Sequence, residues 1–334
     1  MRKFLLLIAQ CLLLILFVSC SAYGFFWGQF GDEDVDERSP RLADFGTVDL
    51  SAQKQQVSSI YSFLVFTDSH FGSQREEFNE SIFLTWFDDW YKKYSAGDSK
   101  DFTKLPRFAI NLGDTADGGK EEQFMEYLRF EEKLKAVANK YLYGTEQNQK
   151  SDGGAAASDS NAGFKVYSVL GNHDLYHNGA KYFKELVYPY TSSYFFRIDT
   201  DSKDSALGFS YYFLDTANGT AGTKQLNDFK KKIEADPRPK IVLTHYPVYA
   251  GGSDMFMIIQ NTLERNTLLT YFAKNKVKQV YEGHAHSDYG FDFEKFREDV
   301  IGSLRFTHRT EKQCAIVTVN EQTQTIHTEI VKFN

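Results

Sequence analysis

The chain has 334 residues, 42% hydrophobic and 25% charged, which excludes a disordered or fibrous protein and allows one large domain or two ordinary ones. Its formal net charge of −7 argues against general nucleic-acid binding, which requires a basic surface. Of the three cysteines, Cys11 and Cys20 fall in or at the end of an apolar leader, so neither a disulfide framework nor a thiolate metal site is available.

In chain order, Met1-Arg2-Lys3 is a short basic region and Phe4 to Val18 an apolar stretch broken only by Gln10 and Cys11. This is the layout of a secretory signal peptide, and the run is short for the ~20 residues that a spanning helix needs. Phe17-Val18-Ser19-Cys20 resembles the lipobox of bacterial lipoproteins, in which the cysteine is lipidated and becomes the new N-terminus; Phe17 stands where leucine is usual. The expectation is a lipoprotein-type signal peptide over 1–20 and an exported protein held on the periplasmic or cell-surface face of a membrane through Cys20. Plain export is the alternative. Residues 21–58, with Asp32, Glu33, Asp34, Asp36 and Glu37, read as a tether, and 59–334 as the folded domain. Gly144 to Gly163 is low in complexity and reads as a surface insertion.

Within the domain, nearly continuous apolar runs predict strands buried on both faces: Ser62–Thr67, Phe108–Leu112, Phe164–Leu170, Lys240–Thr244 and Lys278–Tyr281. Helical spacing covers Glu77–Tyr94, Glu121–Tyr141 and Asp254–Phe272, and Ser303–Phe333 alternates like short strands. The fold class expected is α/β, with two mixed β-sheets packed in layers between helices.

Each apolar run ends in a carboxylate, an amide or an imidazole. In order these are Asp68 and His70, then Asp114, then Asn172, His173 and Asp174, then His245, then His284 and His286, which takes in five of the eight histidines. Residues at i and i+2 point the same way on an extended chain, so Asp68/His70 and His284/His286 each serve one site if the backbone there is extended. Gly113, Gly171 and Gly283 permit the turns. Singly, each of these residues is an ordinary cap or turn residue. As an ordered set at consecutive strand ends they are not.

That set resembles the calcineurin-like metallophosphoesterase superfamily, over the span from about Ser62 to His286. The resemblance implies two metal ions ~3.5–4 Å apart. One would be held by Asp68, His70, Asp114 and His286, the other by Asp114, Asn172, His245 and His284. Mixed nitrogen and oxygen donors suit Mn, Fe, Zn or Ni. It further implies a metal-bridging hydroxide attacking phosphorus, with His173 as general acid and Asp174 orienting the His173 ring and raising its pKa. Purple acid phosphatases carry glycine where His70 stands and tyrosine where Asp117 stands, so their coloured centre is not expected. No arginine adjoins Asp114, Asn172 or His245 in sequence, unlike the serine/threonine protein phosphatase branch. The expected activity is hydrolysis of phosphate mono- or diesters, small esters or nucleotides, outside the cytoplasm. A non-catalytic surface-binding lipoprotein on the same fold, or a nuclease of the superfamily, are the alternatives. Tyr246–Gly252 and Leu175–Asn178 are the loops placed to line a substrate pocket.

Overall fold

The computed structural model describes residues 34–50, 53, 59–73, 78–144, 163–200, 208–249, 251, 257–305 and 311–333. The leader, Cys20 and nearly all of the low-complexity insertion lie outside these. No helix among the described residues is long and apolar enough to cross a membrane.

Alternation along the strands builds the layers. In β2 (Ile60–Phe66), Tyr61, Phe63 and Val65 face one way, and Leu64 and Phe66 the other. β6 (Phe209–Leu214) sends Phe209, Tyr211 and Phe213 toward Phe63 and its neighbours, and Tyr212 and Leu214 outward. The inward sets meet as an aromatic slab between two sheets, where Phe63 stacks on Phe108 at 5.0 Å and the Tyr61 and Tyr211 hydroxyls bond at 2.7 Å.

The smaller sheet runs β12–β11–β2–β3–β4 and the larger β1–β5–β6–β7–β8–β10–β9. β3 is Pro106–Asn111, β4 Val166–Ser168, β5 Tyr194–Ile198, β7 Lys240–Thr244 and β8 Val277–Glu282. β9 is Tyr289–Asp292, β10 Arg297–Val300, β11 Lys312–Asn320 and β12 Thr325–Phe333. Helices α2 (Glu80–Ser95), α3 (Glu121–Leu142) and α4 (Gly179–Leu186) cover the outer face of the smaller sheet through Phe83, Phe87, Phe124, Phe130 and Phe183. Helices α5 (Thr223–Ala235) and α6 (Thr262–Lys274) cover the larger through Phe229, Ile233, Leu268 and Phe272. The result is a helix–sheet–sheet–helix sandwich with both sheets mixed, as the sequence patterning predicts.

β2, β3 and β4 are parallel in one sheet, and β6, β7, β8 and β10 in the other. Their carboxyl ends therefore open on one edge of the sandwich, which is where open α/β sheets place their sites.

The tether expected over 21–58 is partly structured. Residues Val35–Arg38 form a short helix, α1, and Ala43–Val48 form β1, which pairs in parallel with β5 at the edge of the larger sheet. The buried Arg38 guanidinium donates to both carboxylate oxygens of Asp215, at 2.7 and 2.9 Å, and to Asn218 Oδ1 at 2.7 Å. Acidic composition misled here because residues 34–50 are held by the β1–β5 pairing and by an arginine buried against an aspartate.

Candidate metal centre

The connections leaving β2, β3, β4, β7 and β8 bring the sequence-predicted metal ligands into two groups, and a third joins His70 to Asp117 and His173. Asp68, His70, Asp114 and His286 form the first, and Asp114, His245 and His284 the second, with candidate ligand atoms within 4.8 Å of one another in each. Asn172 joins the second through Oδ1, 3.1 Å from His245 Nε2. Asp114 belongs to both. Its Oδ2 lies 3.6 Å from His70 Nε2 and its Oδ1 3.4 Å from His245 Nε2. His286 Nε2 stands 3.1 Å from Asp68 Oδ1 and 3.2 Å from His70 Nε2.

The local backbone differs from the extended chain expected. Asp68, His70, Asp114, His284 and His286 have φ of 55°, 44°, 50°, 64° and 48°. Each ligand pair converges through left-handed turns at the ligands themselves. For non-glycine residues these conformations cost on the order of 1–3 kcal/mol each and persist only where the surroundings over-determine them. Hydrogen bonds do so here. Asp68 N donates to Gly113 O and His70 N to Asp114 O, both at 2.9 Å, and Thr67 Oγ1 donates to Asp68 Oδ2 at 2.7 Å. Gly113 sits at φ +100°, and a Cβ there would lie 2.7 Å from Gly171 N and 2.9 Å from His245 Nδ1. Glycine at this position lets three motif segments touch.

Asp68 and Asp114 are fully buried, and their ion-pair partners among the described residues are imidazoles. A buried carboxylate needs a counter-charge. Burial opposes ionisation, but His286 and His70 hold Asp68 well below the usual carboxylate range. Likewise Asp114 is held low by His245, His173 and His70 against its burial. Burial works against the imidazolium forms too, yet Asp117, Asp68 and Asp114 push His70 up to about 9, and Asp114 with Asp68 pushes His245 up to about 9. Protons on the rings thus do what a cation would do. His245 Nδ1 donates to Leu112 O at 2.8 Å, which leaves Nε2 as the atom aimed at Asp114 and Asn172. Two converging carboxylates, four imidazoles and an amide fit first-row transition metals. The Tyr246 ring stacks on His284 at 3.8 Å and fixes its plane.

Asp174 departs from the role expected of it. Its carboxylate accepts from Ala116 N at 2.7 Å and Gly171 N at 2.9 Å, and ties the Asp114 loop to the Asn172 loop. Burial, reinforced by Asp114, raises its pKa to about 7. The His173 ring turns elsewhere: Nδ1 donates to the Asp117 carbonyl at 2.8 Å, and burial lowers its pKa. The turn after Asn172 sends the Asp174 side chain inward and the His173 ring to the rim. Asp117 places its carboxylate 3.3 Å from His70 Nδ1.

The family model of the calcineurin-like phosphoesterases matches residues 61–288. The chain belongs to this family. Members are metal-dependent phosphoric ester hydrolases, and the two Asp/His groups lie where five strands of this fold end. Among solved structures, GAP50, the anchor in the inner membrane complex of Plasmodium, is similar in fold at 14% identity, covering 82% of this chain and 89% of that one with a TM-score of 0.50. A 5′-nucleotidase from Candida albicans matches at 12% identity over 84% of this chain and 54% of that one, TM-score 0.44. A putative 5′-nucleotidase from Staphylococcus aureus matches at 11% over 82% and 54%, TM-score 0.46. The chain spans about half the length of these two nucleotidase chains. No curated protein matches it.

One residue at the site carried no signal in the sequence. Arg305 reaches it from the segment that follows β10, with Nη1 3.6 Å from Asp117 Oδ1. No motif surrounds it; the parallel pairing of β10 with β8 and the bond from Leu304 N to Thr67 O deliver it to this edge.

Proposed function

We propose that the protein is a binuclear metal-dependent phosphoesterase that hydrolyses small phosphate mono- or diesters outside the cytoplasm, exported by its leader and held at a membrane through lipidated Cys20. The observation that carries the catalytic reading is a pair of fully buried carboxylates, Asp68 and Asp114, with only imidazoles as ion-pair partners among the described residues. The location rests on the sequence of the leader alone.

Asp68, His70, Asp114 and His286 would hold one ion, and Asp114, Asn172, His245 and His284 the other. When bound, such ions supply positive charge to phosphate oxygens and a strong nucleophile from water near neutral pH. Leu112 O fixes the His245 tautomer, and the Tyr246 ring fixes the plane of His284. His173 lies at the rim, its ring 4.5 Å from that of His70. With Nδ1 committed to the Asp117 carbonyl, Nε2 is the atom that acts. In the free protein burial disfavours protonation of that nitrogen. A dianionic phosphate offsets the burial, so that Nε2 takes up a proton from solvent as the substrate binds, and His173 would pass that proton to the leaving oxygen.

Hydrolysis of para-nitrophenyl phosphate and its bis ester by chelator-stripped protein, before and after Mn is restored, tests the catalytic reading. Activity that appears only with metal is expected. Metal uptake without turnover on either ester would favour a non-catalytic role on the same fold. Membrane fractionation of wild type and Cys20→Ala tests the anchor, and equal partition of the two would refute it.

A further inference from the structure

Among the described residues Arg305 is the one guanidinium at the centre, and it is only partly satisfied. The side chain is 12% exposed, and Nε and Nη1 are buried without a hydrogen-bond partner among the described residues. Its nearest anion, Asp117 Oδ1, lies 3.6 Å from Nη1, at ion-pair range but beyond a hydrogen bond. That carboxylate is also shared with His70 Nδ1 at 3.3 Å and His173 Nδ1 at 4.0 Å. Desolvated donors left unbonded are costly, so an arginine kept in this state needs an explanation.

The segment that carries it is fixed. Leu304 N donates to Thr67 O at 3.0 Å, Ser303 Oγ to Asp68 O at 2.8 Å, and Arg305 N to Ser303 Oγ at 3.1 Å. The guanidinium is therefore stitched to the same chain that presents Asp68 and His70. Folding holds it there beside Asp117, which faces His70 and His173, and near enough to His70 to disfavour that ring's protonation. The planar guanidinium fork matches the spacing of two oxygens on one phosphate.

We infer that Arg305 is an oxyanion-binding residue of this centre, taking non-bridging oxygens of the substrate's phosphate on the side flanked by Asp117 and His173, and so favouring monoesters over diesters. The inference rests on the phosphoesterase reading. A monoester brings two negative charges and free oxygens to the fork, whereas a diester brings one charge and covers a further oxygen with its second substituent. Arg305 thus discriminates by charge and by access.

The test uses Mn-loaded full chain as wild type, Arg305→Gln and Arg305→Lys. Three readouts are needed: bound metal by elemental analysis, inorganic phosphate affinity by calorimetry, and kcat/KM on para-nitrophenyl phosphate and its bis ester. In Arg305→Gln, metal content is unchanged, phosphate binds about tenfold to a hundredfold more weakly, and the monoester loses kcat/KM by a similar factor while the diester loses much less. Arg305→Lys restores charge without the fork and falls between. Unchanged phosphate affinity in Arg305→Gln overturns the inference, as does an equal loss on both esters, which marks a residue acting through Asp117. Should Arg305→Gln fail to fold, Arg305→Lys decides: weaker phosphate binding and a reduced monoester preference at unchanged metal content support the inference, and wild-type values of both overturn it. Wild type that takes up no metal and cleaves neither ester overturns the phosphoesterase reading itself, a result distinct from the two above.

Discussion

Asp114→Asn separates the site's charge from its shape. The amide oxygen can still accept from His173 N, which donates to Asp114 Oδ1 at 2.7 Å, so the loop keeps its anchor. What is lost is the one carboxylate common to both Asp/His groups. Without metal, removing that charge also relieves Asp174, whose pKa is raised by its own burial and then by Asp114. The metal-free variant also deprives the buried His70 and His245 rings of the carboxylate that raises them, and is expected to unfold within about 1–3 kcal/mol of metal-free wild type. With metal the two diverge. A ligand present at a hundred times its dissociation constant stabilises by about 2.7 kcal/mol. For a chain of this size that corresponds to a shift of about 4 °C in the melting midpoint. Wild type should lose this increment on chelation, and Asp114→Asn should melt at the same temperature with and without chelator. Turnover of para-nitrophenyl phosphate should fall about a hundredfold to a thousandfold, the scale on which a pre-organised charge acts. Scanning calorimetry, elemental analysis of dialysed protein and a chromogenic assay cover the three quantities. A variant with full metal content and wild-type turnover would refute a shared Asp114.

Asp174→Asn places an NH2 against one of the two backbone donors that the carboxylate now accepts from, at Ala116 and Gly171, and should lower stability by about 1–3 kcal/mol in denaturant unfolding. The same change should leave the His173 titration, followed by NMR, where it is; a shift of a full pH unit would restore the orienting role. Glu298 is buried beside Glu282, and burial pushes its pKa from 4.5 to about 7. The folded chain therefore keeps a proton that the unfolded chain releases between about pH 4.5 and 7, and stability falls as pH rises through that window. Glu298→Gln keeps an acceptor for Tyr249 N, which now donates to Glu298 Oε1 at 2.6 Å. It should flatten the pH profile and raise stability above pH 7 by up to about 3 kcal/mol, and an unchanged profile by thermal unfolding would count against it. Asp215 is held low, against its burial, by Arg38. Its contribution is present above the usual carboxylate range and disappears as pH falls through the depressed value. Arg38→Ala strands that carboxylate and should cost about 3–5 kcal/mol in denaturant unfolding. A loss below 1 kcal/mol would mean that the strap is only loosely docked.

Strands buried on both faces were legible because such strands are continuous apolar runs. Lys240–Thr244 is expected and observed over the same residues. Helix starts were less so. The pattern from Asp254 overran the true start because Asn261 caps α6, its side chain accepting from Leu263 N and Glu264 N. Motif order brought together residues far apart in the chain, since strand ends in parallel sheets share an edge. What the motif could not carry was direction. Consecutive residues Asn172, His173 and Asp174 read as one functional unit, yet the turn aims Asn172 at His245, the His173 ring at the Asp117 carbonyl and Asp174 at two backbone amides. Likewise the i, i+2 spacing of Asp68 and His70 implied an extended chain because that is its cheapest solution. The protein adopts left-handed turns instead, since hydrogen bonds from the Gly113–Thr115 segment hold the strain. Arg305 shows the same limit from the other side. Its sequence neighbours say nothing of metal chemistry, and its place follows from Ile301 N donating to Glu282 O and Leu304 N to Thr67 O, two bonds that carry the chain from one sheet to the other across the site. Chemistry that depends on residue type is readable along the chain, whereas chemistry that depends on where a turn points becomes readable only once the two sheets have closed on each other.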